Sequence, residues 1–265
     1  SNERRMIMVI NEIKSIVFSP TDSTKKVMQL MSEQFANKVN VIDITCGIKD
    51  AITCFENELC LIGVPVYGGR VPSPIVEHFK AIKGNHTPIV LVVTYGNRDY
   101  DDALLELSDL AQANGFIVIG AAAFICEHSI MHRVAHGRID ESDKAKIIAF
   151  TKQVINKVAS ISDLQAITPL SIKGKVPYKE YNGIPLKPKA SEACNNCGIC
   201  ASNCPVGAID PKDGSLTDKK LCISCMRCMK VCPIQARSLN KVMLSVSEKA
   251  FANKCKTRKE PELFI

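Results

Sequence analysis

Apolar positions in the first 160 residues alternate between two patterns. Short continuous apolar runs recur at residues 14–18, 39–44, 58–64, 89–94 and 116–124, and each reads as a strand. Between them the apolar spacing becomes helical. Residues 24–36 place Val27, Leu30, Met31 and Phe35 on one side, and residues 74–82 carry a proline near their start. Residues 103–113 end at Gly115, and residues 140–159 line up Ile147, Ile148, Val154 and Val158. Continuous apolar strands that alternate with helices predict a parallel sheet covered on both faces. The expected first unit, residues 1–160, is a five-stranded, doubly wound α/β sheet. Ligands of such sheets bind beyond the carboxyl ends of the strands, which directs attention to the loops after Phe18, Val64 and Thr94.

The pattern then changes. Residues 161–190 carry Pro169, Pro177, Pro185 and Pro188 without a sustained apolar period, and read as a linker or wrapping arm. A second small module is expected over 191–240, followed by a basic extension over 241–265. Charge and cysteine follow the same division. The chain has 265 residues, 13 of them cysteine, and a formal net charge of +7. Residues 1–186 hold 20 basic and 20 acidic side chains, so the whole excess lies after residue 186. Nine cysteines lie after residue 190. An odd cysteine count without a secretory signal argues against a disulfide framework and for metal or redox chemistry in a cytoplasmic setting. The longest uncharged apolar stretch is 12 residues, too short for the ~18 or more that a membrane span needs. The basic region has too few aromatics for a nucleic-acid stacking platform, and suits docking of a redox partner, protein or small molecule. Oligomeric state has no signature in the sequence.

The cysteines after residue 190 fall into two copies of one motif. Cys194-x2-Cys197-x2-Cys200-x3-Cys204-Pro205 repeats 28 residues later as Cys222-x2-Cys225-x2-Cys228-x3-Cys232-Pro233. This is the bacterial run for [4Fe–4S] clusters, in which the fourth cysteine ligates the other cluster. Cys194, Cys197, Cys200 and Cys232 are thus assigned to one cluster, and Cys222, Cys225, Cys228 and Cys204 to the second. Paired CxxC also binds zinc, but eight thiolates in two matched sets favour iron–sulfur. Residues 193–239 resemble the bacterial two-cluster ferredoxins, which implies a small α+β domain. Each oxidised cluster with its thiolates carries about −2, so the formal charge of the loaded chain falls to roughly +3. Cys46, Cys54, Cys60, Cys126 and Cys255 show no ligand spacing and read as ordinary small apolar side chains.

The three loops of the first unit also have a chemical character. Ser19-Pro20-Thr21-Asp22-Ser23-Thr24 precedes a helix and is an anion-site candidate, although such residues also serve as plain caps. Pro65-Val66-Tyr67-Gly68-Gly69 offers glycines where backbone approaches a flat ligand. Thr94-Tyr95-Gly96-Asn97, with Tyr100, forms the third loop. On these residues the first 160 resemble flavodoxin, which binds FMN there. That resemblance makes Ser19 to Thr24 a phosphate loop, puts Tyr67 beside the flavin ring and Asn97 at its polar edge, and stacks Tyr100 on it. Asp22 stands where that family has glycine; it tolerates left-handed backbone but brings negative charge, which Lys25 and Lys26 are expected to offset. The phrases PVYGGRVP and YGNRDYDDAL make the whole chain similar to the EFR-type ferredoxins, a flavodoxin-like domain ahead of a two-cluster ferredoxin.

The expected function is electron transfer between two [4Fe–4S] clusters and FMN. The alternatives are a flavin-dependent reductase of a small substrate fed by the clusters, and a flavin-free docking domain on a ferredoxin. No catalytic acid or base stands out, and G-x-G-x-x-G is absent. His128, His132 and His136, four apart and next to Glu127, read as loop histidines rather than a metal site.

Overall fold

The structure, a computed structural model, describes residues 8–265; the first seven residues of the expected 1–160 unit lie outside them. The first unit contains β1 (Glu12–Val17), α1 (Ser23–Ser32), β2 (Val39–Asp43), β3 (Ile52–Cys54), β4 (Glu58–Pro65), α2 (Ser73–His78), β5 (Ile82–Gly84), β6 (Thr87–Tyr95), α3 (Ala103–Ala113), β7 (Phe116–Ile125) and α4 (Glu141–Ser160). The rest contains β8 (Lys189–Ala190), α5 (Ile199–Ser202), α6 (Arg227–Lys230), β9 (Arg237–Ser238), α7 (Lys241–Ala252) and β10 (Glu262–Phe264).

The main sheet has the order β10-β7-β6-β4-β1-β2. Its five expected strands are all parallel and run 2-1-3-4-5 in sequence order, the flavodoxin-like arrangement. The order reverses between β1 and β4, so the loops after these strands and after β6 open at one edge. All nine residues of β6 are buried, because alternate side chains feed two cores. Val90 and Val92 pack with Met28 and Met31 of α1 and with Phe150 of α4. Leu91 and Val93 face the opposite layer, with Ile75 of α2 and Leu104 and Leu107 of α3. Gly63 in β4 has no room for a side chain, since a Cβ would collide with Met28. This close approach seats α1 against the sheet. The capping box of α4, with Asp140 accepting from Asp143 N and Asp143 accepting from Asp140 N, both at 3.0 Å, fixes where that helix begins.

Three features depart from the sequence expectation. Helix α2 stops at His78 rather than residue 82, because Ile82–Gly84 turns into β5 and pairs with β3. The sheet has a sixth strand, β10, antiparallel to β7 with Leu263 opposite Ala122. The segment expected to be only a basic extension supplies both α7, N-capped by Asn240, and this strand. Residues 161–188 lie along the first unit as an arm. Lys175 N and Lys179 N both donate to Asp102, Tyr178 donates to Asp109, and Arg70 reaches Lys179 O at 2.8 Å.

The returning C-terminal segment is clamped by Asn97, which is 4% exposed. Its amide donates to Cys255 O at 2.9 Å and Thr257 O at 3.0 Å, and its oxygen accepts from Lys259 N at 3.0 Å. Asn97 also holds a left-handed φ of 60°. Asn97→Ala strips three hydrogen bonds and strains the backbone, at a cost of about 1–3 kcal/mol. The expected result is a lower urea midpoint together with faster proteolysis at Lys254, Lys256 and Lys259. An unchanged cleavage pattern would mean that the clamp does not hold the segment.

Candidate functional site: a cleft and two cysteine cavities

The two cysteine motifs fold as backbone copies of each other. Residues 28 apart share left-handed conformations: Asn196 and Ser224 at φ 54° and 56°, Gly198 and Met226 at φ 75° and 62°. Each fourth cysteine accepts a hydrogen bond from the backbone four residues on, Ala208 N to Cys204 Sγ at 3.3 Å and Ala236 N to Cys232 Sγ at 3.2 Å. The chain crosses between the copies, so each cavity takes three cysteines from one repeat and one from the other. Cys194, Cys197, Cys200 and Cys232 line one cavity. Cys204, Cys222, Cys225 and Cys228 line the second. Among the described residues, no three His, Cys, Asp or Glu side chains converge tightly enough to hold a single metal ion. Burial pushes the Cys225 thiol up to about 12 and Cys228 up to about 11. Any metal held by these thiols would have to displace their protons.

The cleft opens at the carboxyl edge of the sheet. The loop after β1 contributes Ser19, Thr21, Ser23 and Thr24, the loop after β4 contributes Pro65, Val66, Tyr67, Gly68 and Gly69, and the end of β6 contributes Thr94, Tyr95 and Gly96. The N-terminus of α1 points into it. Ser19 is held by its backbone N donating to Thr45 Oγ1 at 2.8 Å, and its own hydroxyl accepts from Lys25 N at 3.0 Å. Thr24 and Thr94 share a hydroxyl hydrogen bond of 2.8 Å. Asp22, the residue at the N-cap, makes no side-chain cap bond. The first N–H groups of a helix lack intrahelical partners, so this end suits an anion.

Three of the expected contact residues lie elsewhere. Asp22 takes the left-handed conformation, φ 68°, that glycine supplies in the resembled loop, and turns its carboxylate outward. Arg227 and Lys230 of the cysteine module face it at 3.8 and 3.5 Å, whereas Lys25 pairs with Asp43. Asn97 is engaged by the C-terminal clamp. Tyr100 is fully buried, tilted against Tyr95 with ring centroids 5.6 Å apart, and its hydroxyl donates to Glu262 at 2.6 Å.

Other residues complete the cleft. Glu127, His128 and Ile130 come from the loop after β7, Tyr181 from the arm, and Phe251 from α7. The β7 loop lies at the same sheet edge as the three loops singled out in the sequence, and the same topological rule identifies it. Tyr181 and Phe251 carry no local signal. The cysteine module adds Ile223 and Ser224, which lie between two motif cysteines. Ser224 is 4% exposed and its hydroxyl has no hydrogen-bond partner among the described residues. Ile223 lines both the cleft and the second cysteine cavity. Burial pushes the Tyr67 phenol well up, and the nearness of Cys225 adds to it. An open helix N-terminus, aromatic walls and one unpartnered buried hydroxyl suit a flat ring with an anionic tail.

The three histidines occupy a loop, as their sequence context suggests. His132 and His136 pair with Glu127 at 2.9 and 3.1 Å and are exposed. His128 turns inward, its ring 5.6 Å from Phe251, and its Nδ1 accepts from the backbone N of Ile130 and Met131, both at 3.1 Å. Burial pulls its pKa down to about 4. The folded protein then takes up the proton later than the unfolded chain as pH falls. Stability contributed by neutral His128 is lost from about pH 6.5 down to about 4, by roughly 1.4 kcal/mol per pH unit, and is flat below. His128→Gln is expected to remove that part of the slope when urea midpoints are followed against pH. Identical slopes for the two proteins would show that His128 is not held neutral.

Comparison with known proteins finds separate likenesses for the two parts of the chain. A family described as a 4Fe-4S dicluster domain matches residues 193–237. A subunit of the F(420)H(2) dehydrogenase of Methanosarcina mazei is 32% identical over 78 residues, 24% of this chain and 22% of that protein, so the chain spans about a fifth of that relative. Among solved structures, a Fusobacterium nucleatum flavodoxin bound to flavin mononucleotide aligns at 16% identity over 55% of this chain and 97% of its own, with a TM-score of 0.41. A flavodoxin from the domain Archaea aligns at 10% identity over 56% and 98%, with a TM-score of 0.40. The strand order of the sheet gives the first part a flavodoxin-like fold, and residues 193–237 after it match the 4Fe-4S dicluster domain family.

Proposed function

We propose that this chain is an electron-transfer flavo-iron–sulfur protein that carries two [4Fe–4S] clusters and FMN. The observation that carries the reading is the shared wall: Ile223 belongs at once to the cleft and to the cavity of Cys204, Cys222, Cys225 and Cys228. In this reading Cys194, Cys197, Cys200 and Cys232 hold an outer cluster, and the other four cysteines hold an inner one beside the cleft. Ser19, Thr21, Ser23 and Thr24 receive the flavin phosphate at the α1 N-terminus, and Tyr67, Gly68, Gly69 and Tyr95 border the ring. The unpartnered hydroxyl of Ser224 supplies a hydrogen bond to a polar atom of that ring. FMN links one- and two-electron chemistry, and each cluster supplies single electrons. The protein's own part is to hold the sites at short range, exclude water from the common wall and tune the electrostatics. Exposed Cys197 marks the side from which a redox partner approaches the outer cluster.

Anaerobically purified protein is expected to contain about eight irons, two clusters' worth, with one FMN. Cys232→Ser and Cys204→Ser each remove about half of the iron. In stopped-flow reduction by dithionite, loss of the inner cluster in Cys204→Ser slows flavin reduction strongly, and loss of the outer cluster in Cys232→Ser slows it less. Protein free of flavin, or flavin reduced at the same rate in both variants, would defeat the relay.

A further inference from the structure

The two motif copies match in backbone but not in chemistry. Cys204-Pro205-Val206-Gly207-Ala208-Ile209 aligns with Cys232-Pro233-Ile234-Gln235-Ala236-Arg237, so an arginine stands in the second copy where the first has isoleucine. Both positions are 4% exposed. A buried isoleucine needs no partner, whereas a buried guanidinium needs hydrogen bonds and an opposing charge. Arg237 Nη1 donates to Gly214 O at 2.7 Å and lies 3.7 Å from Cys200 Sγ, and Nη2 donates to Thr217 Oγ1. Its Nε is buried without a partner among the described residues. None of these contacts is a carboxylate. The chemistry able to balance the charge is that of the cysteine cavity the side chain lines, formed by Cys194, Cys197, Cys200 and Cys232.

We propose that Arg237 sets the potentials of the cluster pair, holding the cluster of Cys194, Cys197, Cys200 and Cys232 above its twin. The inference rests on the two-cluster reading. Reduction adds an electron to a group that is already anionic. A fixed positive charge in a low-dielectric site stabilises the reduced form more than the oxidised one, and a hydrogen bond to a ligating sulfur acts in the same direction. The outer set receives both through Cys200. Arg237 lines the outer cavity and not the inner one, and the residue equivalent to it beside the inner cavity is Ile209. Arg237 thus acts through the clusters' surroundings as a positioning residue for charge.

The test is an EPR-monitored dithionite titration of the full chain loaded with iron and sulfide. Cys232→Ser, which lacks the outer cluster, identifies the inner potential. Arg237→Ile restores the symmetry of the repeat and is expected to lower the outer potential, narrowing the separation. Arg237→Gln is neutral but keeps polar contacts to Gly214 and Thr217, and shifts the outer potential in the same direction even if the isoleucine variant loads poorly. An outer potential that is unchanged in a fully loaded neutral variant, or an inner potential that falls further than the outer, overturns the proposal. Wild-type protein holding iron for one cluster would defeat the two-cluster reading itself.

Discussion

The return of the chain to the edge of the sheet is the constraint on which the arrangement depends. After the cysteine module, α7 leads back to Asn97, and β10 pairs with β7. The module is therefore held at both ends, by the arm that packs along α3 and by a strand built into the sheet. A strand edge offers a row of unpaired backbone groups, and covering β7 with β10 satisfies them while anchoring the C-terminus. Phe251 of α7 and Tyr181 of the arm then fall beside the cleft, and Ile223 and Ser224 are pressed against it.

Electrostatics orients this contact more than it stabilises it. Asp22 faces Arg227 and Lys230 across partly exposed ground, where ion pairs contribute about 0–1 kcal/mol. Their geometry is nevertheless specific. Arg227 stands between Cys225 and Cys228, and its guanidinium also approaches Pro20 O at 3.3 Å. The loop that wraps one cysteine cavity is thereby tied to the loop at the α1 N-terminus. The negative charge that looks unfavourable in a phosphate loop is turned away from the cleft and used to align the second module.

Arg237 is the counterpart inside the module. Surface lysines account for much of the basic excess, but Arg237 is buried beside cysteines with no carboxylate partner among the described residues. A charge there is tolerable only where anionic groups share the site. The cysteine spacing and the buried arginine therefore point independently to the same chemistry.

The periodicity of residues 14–18, 89–94 and 103–113 determined the parallel α/β sheet, because a strand buried on both faces must be apolar throughout. The spacing of the cysteines determined the crossed sets, because three residues closely spaced can surround one face of a cluster and the fourth is carried away by its turn. Local pattern did not indicate β10, whose three residues gain stability only from β7. Nor did it indicate Tyr181, Phe251 and Ser224, whose roles come from segments distant in sequence. Asn97 and Tyr100 read as ligand contacts from their loop, yet the returning chain claimed one and the core the other. The sequence by itself determined the two folds and the metal chemistry. Only tertiary structure decided which loops face the cleft and that a cysteine cavity shares its wall, because those contacts depend on where a chain of 265 residues comes back to meet itself.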